Sequence, residues 1–492
     1  MNKKIISIDQ GTSSSRAILF KNDFTVISIE QREFKQSFPN DGWVEHDPND
    51  IWDSVFKVTK RLIEKNNLSP SDIASIGITN QRETTLIWDR ETGEAIYPAI
   101  VWQDRRTADF CNNLKKDNIE ALVQESTGLL IDPYFSASKI CWLLDNVQGA
   151  REKAKKGKLA FGTVDSFLVW RLTEGKEHKT DVTNASRTML YNIKENCWDK
   201  DLLNLFNIPF SILPEVCENV HDFGTTEIFG GRIGIGGVAG DQQAALIGQC
   251  CFKKGEAKST YGTGCFILLN TGAEIITSEN KLLSTIAYKI NGKTTYGIEG
   301  SIFIAGSAIQ WLRDGLNFFE HARDSEELIK IRNKDSLVLV VPAFTGLGAP
   351  HWDPNARGAI YGLTRKTSKA DITAATLESI VFQSKDLLES MQKDGANFIE
   401  LRIDGGMVEN SWFSQCLSDT LDIPVLIPSI KETTALGSAF LAGMHAGLYS
   451  DFPFLEKYWS CKKKFNPNLD KGQGLRKKYS EWLQAVEKTK VS

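Results

Sequence analysis

Ile5-Ile6-Ser7-Ile8 runs into Asp9-Gln10-Gly11-Thr12-Ser13-Ser14-Ser15-Arg16 and resumes as Ala17-Ile18-Leu19-Phe20. The pattern is strand, tight turn, strand. Half the chain later it returns as Ser259-Thr260-Tyr261-Gly262-Thr263-Gly264-Cys265, followed by Phe266-Ile267-Leu268-Leu269. Glycine permits φ > 0 and carries no Cβ, so backbone N–H groups and hydroxyls in such a turn can close around an anion. Taken singly, either turn reads equally as an ordinary hairpin. Taken together, with an acid heading the first and hydroxyls inside it, they read as two jaws around one polyphosphate.

The flanking sequence repeats an α/β plan. Val26–Glu30 completes a three-strand meander, and Asp47-Pro48 caps an amphipathic helix carrying Ile51, Trp52, Val55, Phe56, Val58 and Leu62. A strand over Ile73–Thr79 ends in Asn80-Gln81-Arg82-Glu83, and Thr84–Asp89 reads as another. Helices are expected over Tyr134–Leu144 and Thr163–Leu172. A glycine-rich stretch, Gly230 to Gly240, leads to Asp241-Gln242-Gln243 and a helix through Ala244–Gly248. The meander then restarts near Ala257. Helix Ala305–Leu316, strand Leu401–Asp404, a helix from about Asn410 and the small-residue helix Ala435–Gly447 follow. The last stretch of about 30 residues reads as one polar helix. Two α/β domains, 1–250 and 251–492, with a cleft between them are the expectation.

At 492 residues the chain is long for a single core, which agrees with two domains. A net charge of −4 without a long basic tract gives no footprint for nucleic acid or anionic membrane. No apolar run approaches the ~20 residues needed to span a bilayer. After Met1-Asn2-Lys3-Lys4, Asp9 interrupts the first apolar run too early for a secretory leader. The nine cysteines lack paired spacing, so packed thiols in a reducing cytoplasm are expected.

Two common nucleotide signatures fail. Gly292-Lys293-Thr294 resembles the tail of a P-loop, but Ala287 stands where its first glycine belongs, and Asn291-Gly292 reads better as a hairpin turn. Gly234-Ile235-Gly236-Gly237-Val238-Ala239 lacks the preceding strand and following acid of a dinucleotide loop. Polar groups in apolar surroundings are more informative. Arg82 offers a donor fork and Glu83 an acceptor pair, which suits either neighbouring hydroxyls of a polyol or a structural ion pair. Trp102 suits either a pocket wall or the core. Asp241 suits either a helix cap or a general base.

These segments carry a resemblance over nearly the whole chain. Asp9–Thr12, Ile78–Thr85, Ile131–Ser136, Thr183–Leu190, Ala239–Ala245, Tyr261–Phe266 and Pro342–Pro350 resemble the FGGY carbohydrate kinases of the actin-like ATPase superfamily. The resemblance implies two actin-like (ribonuclease H-like) domains and MgATP-dependent phosphorylation of glycerol in the cytoplasm by a homodimer or homotetramer. It places Arg82, Glu83, Tyr134, Asp241 and Gln242 at the hydroxyls, with Trp102 and Phe266 on the apolar side. Hydrogen bonds must carry the discrimination, because so small a triol gains little from apolar burial.

The resemblance also places Thr12, Ser13, Ser14, Arg16 and Thr263 at the phosphates, and Gly306, Gln310, Gly406 and Asn410 at the adenosine. Asp9 would organise Mg²⁺, and Asp241 would act as general base. It thins at Ile228–Ile233, which is shorter than the glycine-arginine loop through which some relatives bind a sugar bisphosphate. Relatives acting on a pentulose, a hexulose or gluconate are the nearest alternative, and Arg82-Glu83 with Tyr134 favours glycerol. Chaperones and filament proteins share the ATP clamp, but they polymerise or carry a peptide-binding module, and this chain has no spare domain.

Overall fold

The computed structural model describes residues 3–116, 119–353 and 355–491; Met1 and Asn2 of the basic start and Ser492 of the expected final helix lie outside them. Two large sheets organise the chain. In the first are β1 (Lys4–Gln10), β2 (Ser14–Phe20), β3 (Val26–Glu33), β4 (Ile73–Asn80), β5 (Thr225–Thr226) and β6 (Ile233–Gly240). Their order across the sheet is β5-β6-β4-β1-β2-β3. The second holds β7 (Glu256–Tyr261), β8 (Cys265–Gly272), β9 (Leu283–Ile290), β10 (Lys293–Ile302), β11 (Glu400–Asp404), β12 (Val425–Pro428) and β13 (Cys461–Phe465). Its order is β9-β10-β8-β7-β11-β12-β13.

The plan of one sheet repeats in the other. β1 pairs antiparallel with β2 through a turn and parallel with β4; β7 pairs antiparallel with β8 through the second turn and parallel with β11. Asp9 therefore lies opposite Arg16 on one side and Thr79 on the other. Thr260 occupies the matching place between Phe266 and Asp404. The expected hairpin at Asn291-Gly292 is present: both residues have positive φ, 51° and 76°, and Ile290 pairs with Lys293.

Four helices position the site: α1 (Asp241–Gly248), α2 (Gly306–Asp314), α3 (Ser411–Leu421) and α4 (Thr433–His445). α4 comes from the second half of the chain, yet it lies on the first sheet and crosses α1. A Cβ on Gly237 would sit 2.5 Å from the Ala442 amide nitrogen. One on Gly437 would sit 1.9 Å from the Ala244 carbonyl oxygen. Gly230–Gly240, glycine-rich in sequence, thus contains the whole of the buried strand β6, where missing side chains let a helix backbone approach. Leu246 and Ile247 of α1 and Ala439 and Phe440 of α4 share one apolar cluster with Ile5, Ile18, Leu268 and Ala287, so this core joins both sheets.

One expectation is corrected. The final stretch is not a single helix: β13 occupies Cys461–Phe465 before the helix Leu469–Thr489 begins. Lys462, Lys463 and Lys464 are exposed on this strand, which among the described residues pairs only with β12. Charged residues on an edge strand block further pairing, and they also hide the strand's alternation. The nine cysteines are all free thiols.

Candidate active site

The first turn is pinned before any ligand arrives. The Gly11 amide donates to the Ser14 carbonyl at 2.9 Å, and Gln81, just past β4, donates its amide to the Gln10 carbonyl at 2.7 Å. The Gln81 side-chain amide also donates to Gln10 Oε1 at 3.1 Å. In the second turn Gly262 and Thr263 accept from the first amides of α2, with Gly306 N–H to Gly262 O at 2.9 Å and Ser307 N–H to Thr263 O at 3.1 Å. Each turn is therefore held by the segment that follows a strand or opens a helix.

Between the two tips lies a cavity of about 290 Å³ lined by Thr12, Ser13, Arg82, Glu83, Trp102, Tyr134, Asp241, Gln242, Thr263 and Phe266. A second cavity of about 400 Å³ shares Gly262 and Thr263 with it and is lined by Gly306, Gln310, Gly406 and Asn410. The residues expected at hydroxyls and at adenosine thus fall on either side of one shared turn. Arg16 lines a third cavity, with Asp404 and Gly406. Its guanidinium bonds Asp9 and, at 2.6 Å, Glu432. Ser14 lines none of the three; its carbonyl closes the turn and its hydroxyl accepts from Gln31 at 3.1 Å.

The floor of the first cavity is a buried charge network. Arg82 Nε lies 3.2 Å from Asp241 Oδ1, while Nη1 and Nη2 reach Glu299 Oε2 and Oε1 at 2.6 and 3.1 Å. Arg187 donates to Glu83 Oε1 at 2.7 Å and to Glu299 Oε1 at 2.9 Å. Burial opposes the charge of Arg82, but Glu299 and Glu83 more than offset it and raise its pKa. Burial likewise opposes Glu299, yet the two arginines hold it down at about 2.

Asp241 differs. Enclosure pushes its carboxyl up to about 6, with Glu83 adding to the rise and Arg82 opposing it. About 31% of its side chain still faces the cleft. The result is a carboxylate ionised near neutral pH whose proton affinity exceeds that of an ordinary aspartate, as a general base requires.

Glu83 is held in a left-handed backbone conformation, φ 61°, uncommon for a residue with a side chain. Its carbonyl accepts from Thr85 Oγ1 at 3.0 Å, Ser136 Oγ at 3.2 Å and Lys139 Nζ at 3.4 Å, which fixes the unusual geometry. Lys139 also donates to the Tyr134 carbonyl at 2.6 Å, and burial lowers its pKa to about 8. Trp102 stands edge-on to both Tyr134 and Phe266, at 5.8 and 6.0 Å between ring centroids. Its indole N–H donates to Thr12 Oγ1 at 3.0 Å, tying the aromatic wall to the first turn.

Arg187, Glu299, Lys139 and Lys258 are the participants that sequence reasoning missed. Lys258 reaches Gln242 Oε1 and, at 3.2 Å, Thr260 Oγ1. A signal existed for one of them: Glu299 is a charge between Ile298 and Ile302 in a strand otherwise free of charge from Thr294 on.

Residues 4–248 match the N-terminal domain of the FGGY family of carbohydrate kinases, and residues 257–446 match its C-terminal domain. The glycerol kinase of Alteromonas mediterranea is 55% identical over 495 residues, covering 100% of both chains. That of Marinomonas sp. is 56% identical over 493 residues, again covering 100% of both. Among solved structures, Plasmodium falciparum glycerol kinase with ADP aligns with a TM-score of 0.92 and 36% identity, covering 100% of this chain and 99% of that one. A ligand-bound xylulose kinase from Lactobacillus acidophilus aligns with a TM-score of 0.90 at 21% identity, covering 99% and 98%; at that identity the likeness is one of fold.

Proposed function

Because the chain belongs to the FGGY family of carbohydrate kinases, we propose that the cavity between its two turns is where glycerol receives the γ-phosphoryl group of ATP. The activity is that of its full-length relatives: glycerol and MgATP give sn-glycerol 3-phosphate and ADP. One observation carries the assignment of residues. Asp241, with its raised proton affinity, lies 3.2 Å from Arg82 in the cavity that both turns border.

In this reading Arg82, Glu83, Tyr134 and Gln242 hold the hydroxyls, and Trp102 and Phe266 face the carbon backbone. Asp241 accepts the proton of one terminal hydroxyl. That oxygen bonds to the γ-phosphorus while the bond from phosphorus to the bridging oxygen of ADP breaks. Thr12, Ser13, Ser14, Arg16 and Thr263 surround the phosphates, and Gly306, Gln310, Gly406 and Asn410 frame the adenosine. Positioning and charge neutralisation dominate such a transfer. Asp9 fits a hydrated Mg²⁺: Arg16 occupies its Oδ2, and its Oδ1 has no hydrogen-bond partner among the described residues. Bound there, the ion would offset phosphate charge.

The five groups Arg82, Arg187, Glu83, Glu299 and Asp241 carry one excess negative charge when all are ionised. Proton transfer to Asp241 removes that excess; Arg82 and Lys258 oppose the transfer, while enclosure and Glu83 favour it and prevail. Division of the chain at residue 250, closure of its two halves to exclude water, assembly as a homodimer or homotetramer, and residence in the cytoplasm complete the proposal, with the family as their support. The test is product identification. Incubation with glycerol and MgATP yields sn-glycerol 3-phosphate and one ADP per phosphate transferred. ATP left intact whatever the glycerol concentration would overturn the reading.

A further inference from the structure

Glu215, Cys217 and His221 bring a carboxylate oxygen, a sulfur and an imidazole nitrogen within 4.8 Å of one another, away from the two cavities assigned to glycerol and adenosine. The arrangement follows from the local backbone. Glu215 and Cys217 are alternate residues of one short strand, so their side chains leave the same face. That strand pairs parallel with Lys179–Asp181, setting Glu215 opposite Lys179 and Cys217 opposite Asp181. The chain then turns back, and the His221 amide donates to the Gly236 carbonyl at 3.3 Å. The His221 ring stands edge-on to Phe223, 5.8 Å between centroids.

The intervening residue holds the segment from its other side. Asn219 donates to Asp181 Oδ2 at 2.8 Å and to the Val238 carbonyl at 2.9 Å, and its Oδ1 accepts from the Lys289 amide at 2.7 Å. The backbone from Cys217 to His221 is therefore fixed by bonds that leave the three donor atoms unused. Among the described residues, the Glu215 carboxylate, the Cys217 sulfur and the His221 ring nitrogens make no hydrogen bond. Lys179, the cation beside this strand, is already committed to Glu177 at 2.8 Å and to the Asp222 carbonyl at 3.0 Å.

We propose that Glu215, Cys217 and His221 form a second metal site, separate from the Mg²⁺ of phosphoryl transfer, that takes a thiophilic divalent cation of the zinc class. The donor set decides the class. Thiolate and imidazole favour Zn²⁺ over the hard cations Mg²⁺ and Ca²⁺, which select oxygen. A carboxylate, a thiolate and a neutral imidazole balance the dication's charge. Three protein ligands leave a fourth tetrahedral position to water. As the sulfur–metal bond forms, the thiol proton passes to solvent. Because the segment also grips Asp181 and β6 through Asn219, a bound ion stiffens it.

The experiment uses the full-length, untagged enzyme, stripped with a chelator and titrated with Co²⁺ as a spectroscopic stand-in for Zn²⁺. The expected result is one equivalent bound, with a thiolate-to-cobalt charge-transfer band in the near ultraviolet that Zn²⁺ abolishes by displacement. Cys217→Ser loses the band, while the exposed thiols Cys197 and Cys461 remain as internal controls. His221→Ala, on a half-buried residue, provides a second variant if the serine variant does not fold; it loses one-to-one binding. Hydrogen exchange over residues 215–221 slows with Zn²⁺ in the unmodified enzyme only. Absence of the band in the unmodified enzyme, or an unchanged band in either variant, overturns the proposal.

Discussion

Arg82, two residues past β4 of the first sheet, and Glu299 of β10 in the second meet in a two-pronged ion pair, Nη1–Oε2 at 2.6 Å and Nη2–Oε1 at 3.1 Å, with neither residue exposed by more than 3%. The pair joins the segment just past β4 to β10 beneath the cavity between the two turns. It lets the fork that faces Asp241 be set by the opposite half of the chain. Holding a donor rigidly from behind reduces what must be ordered when substrate binds.

Glu299→Gln leaves Arg82 and Arg187 with one carboxylate fewer in a dry site. Removing one partner of a buried pair costs about 3–5 kcal/mol. We expect a loss of that size in chemical denaturation, accompanied by a higher KM for glycerol. A variant as stable as the parent would show that the pair contributes nothing to the joint.

The pH dependence of turnover should carry the signature of Asp241. Its folded-state pKa is raised to about 6, so the proton-accepting form is lost as pH falls through that value. Turnover should decline roughly tenfold per unit below it. Glu299, held near 2, stays ionised throughout this range. An acid limb in kcat centred near the ordinary aspartate value of 3.8 would detach Asp241 from the step.

The crossing of α1 and α4 makes a different demand. An added methyl group at Gly437 would meet the Ala244 carbonyl oxygen at 1.9 Å, a backbone atom that can yield only if the helices separate. Overpacking of this kind costs about 1–3 kcal/mol or more. Gly437→Ala should lower the melting temperature and also reduce kcat, because α1 begins with Asp241. A normal melting temperature and turnover would mean that the helices tolerate separation.

What the sequence revealed and what it concealed divide along physical lines. The Asp9–Arg16 and Tyr261–Cys265 turns, the Asn291-Gly292 hairpin and the Asp47 cap rest on local chemistry, and each was legible. Asp241 was legible as a helix start and as a candidate base, but its raised proton affinity was not, because that property comes from enclosure beside Glu83. Arg82 was readable as one member of an ion pair. Its partner was not, since Glu299 lies 217 positions further along the chain and no local pattern links them. β6 read only as a glycine-rich stretch, because its glycines serve the helix packed on it. β13 looked like part of a polar helix because its lysines protect a sheet edge.

Asp241 as the proton acceptor is tested by steady-state kinetics of Asp241→Asn beside the parent enzyme, with glycerol and MgATP each varied. The substitution keeps the shape of the side chain and removes its capacity to take a proton. KM for glycerol should stay within a few-fold while kcat falls by about 10²–10⁴-fold, the usual range for a lost general base. A kcat close to that of the parent would contradict that role.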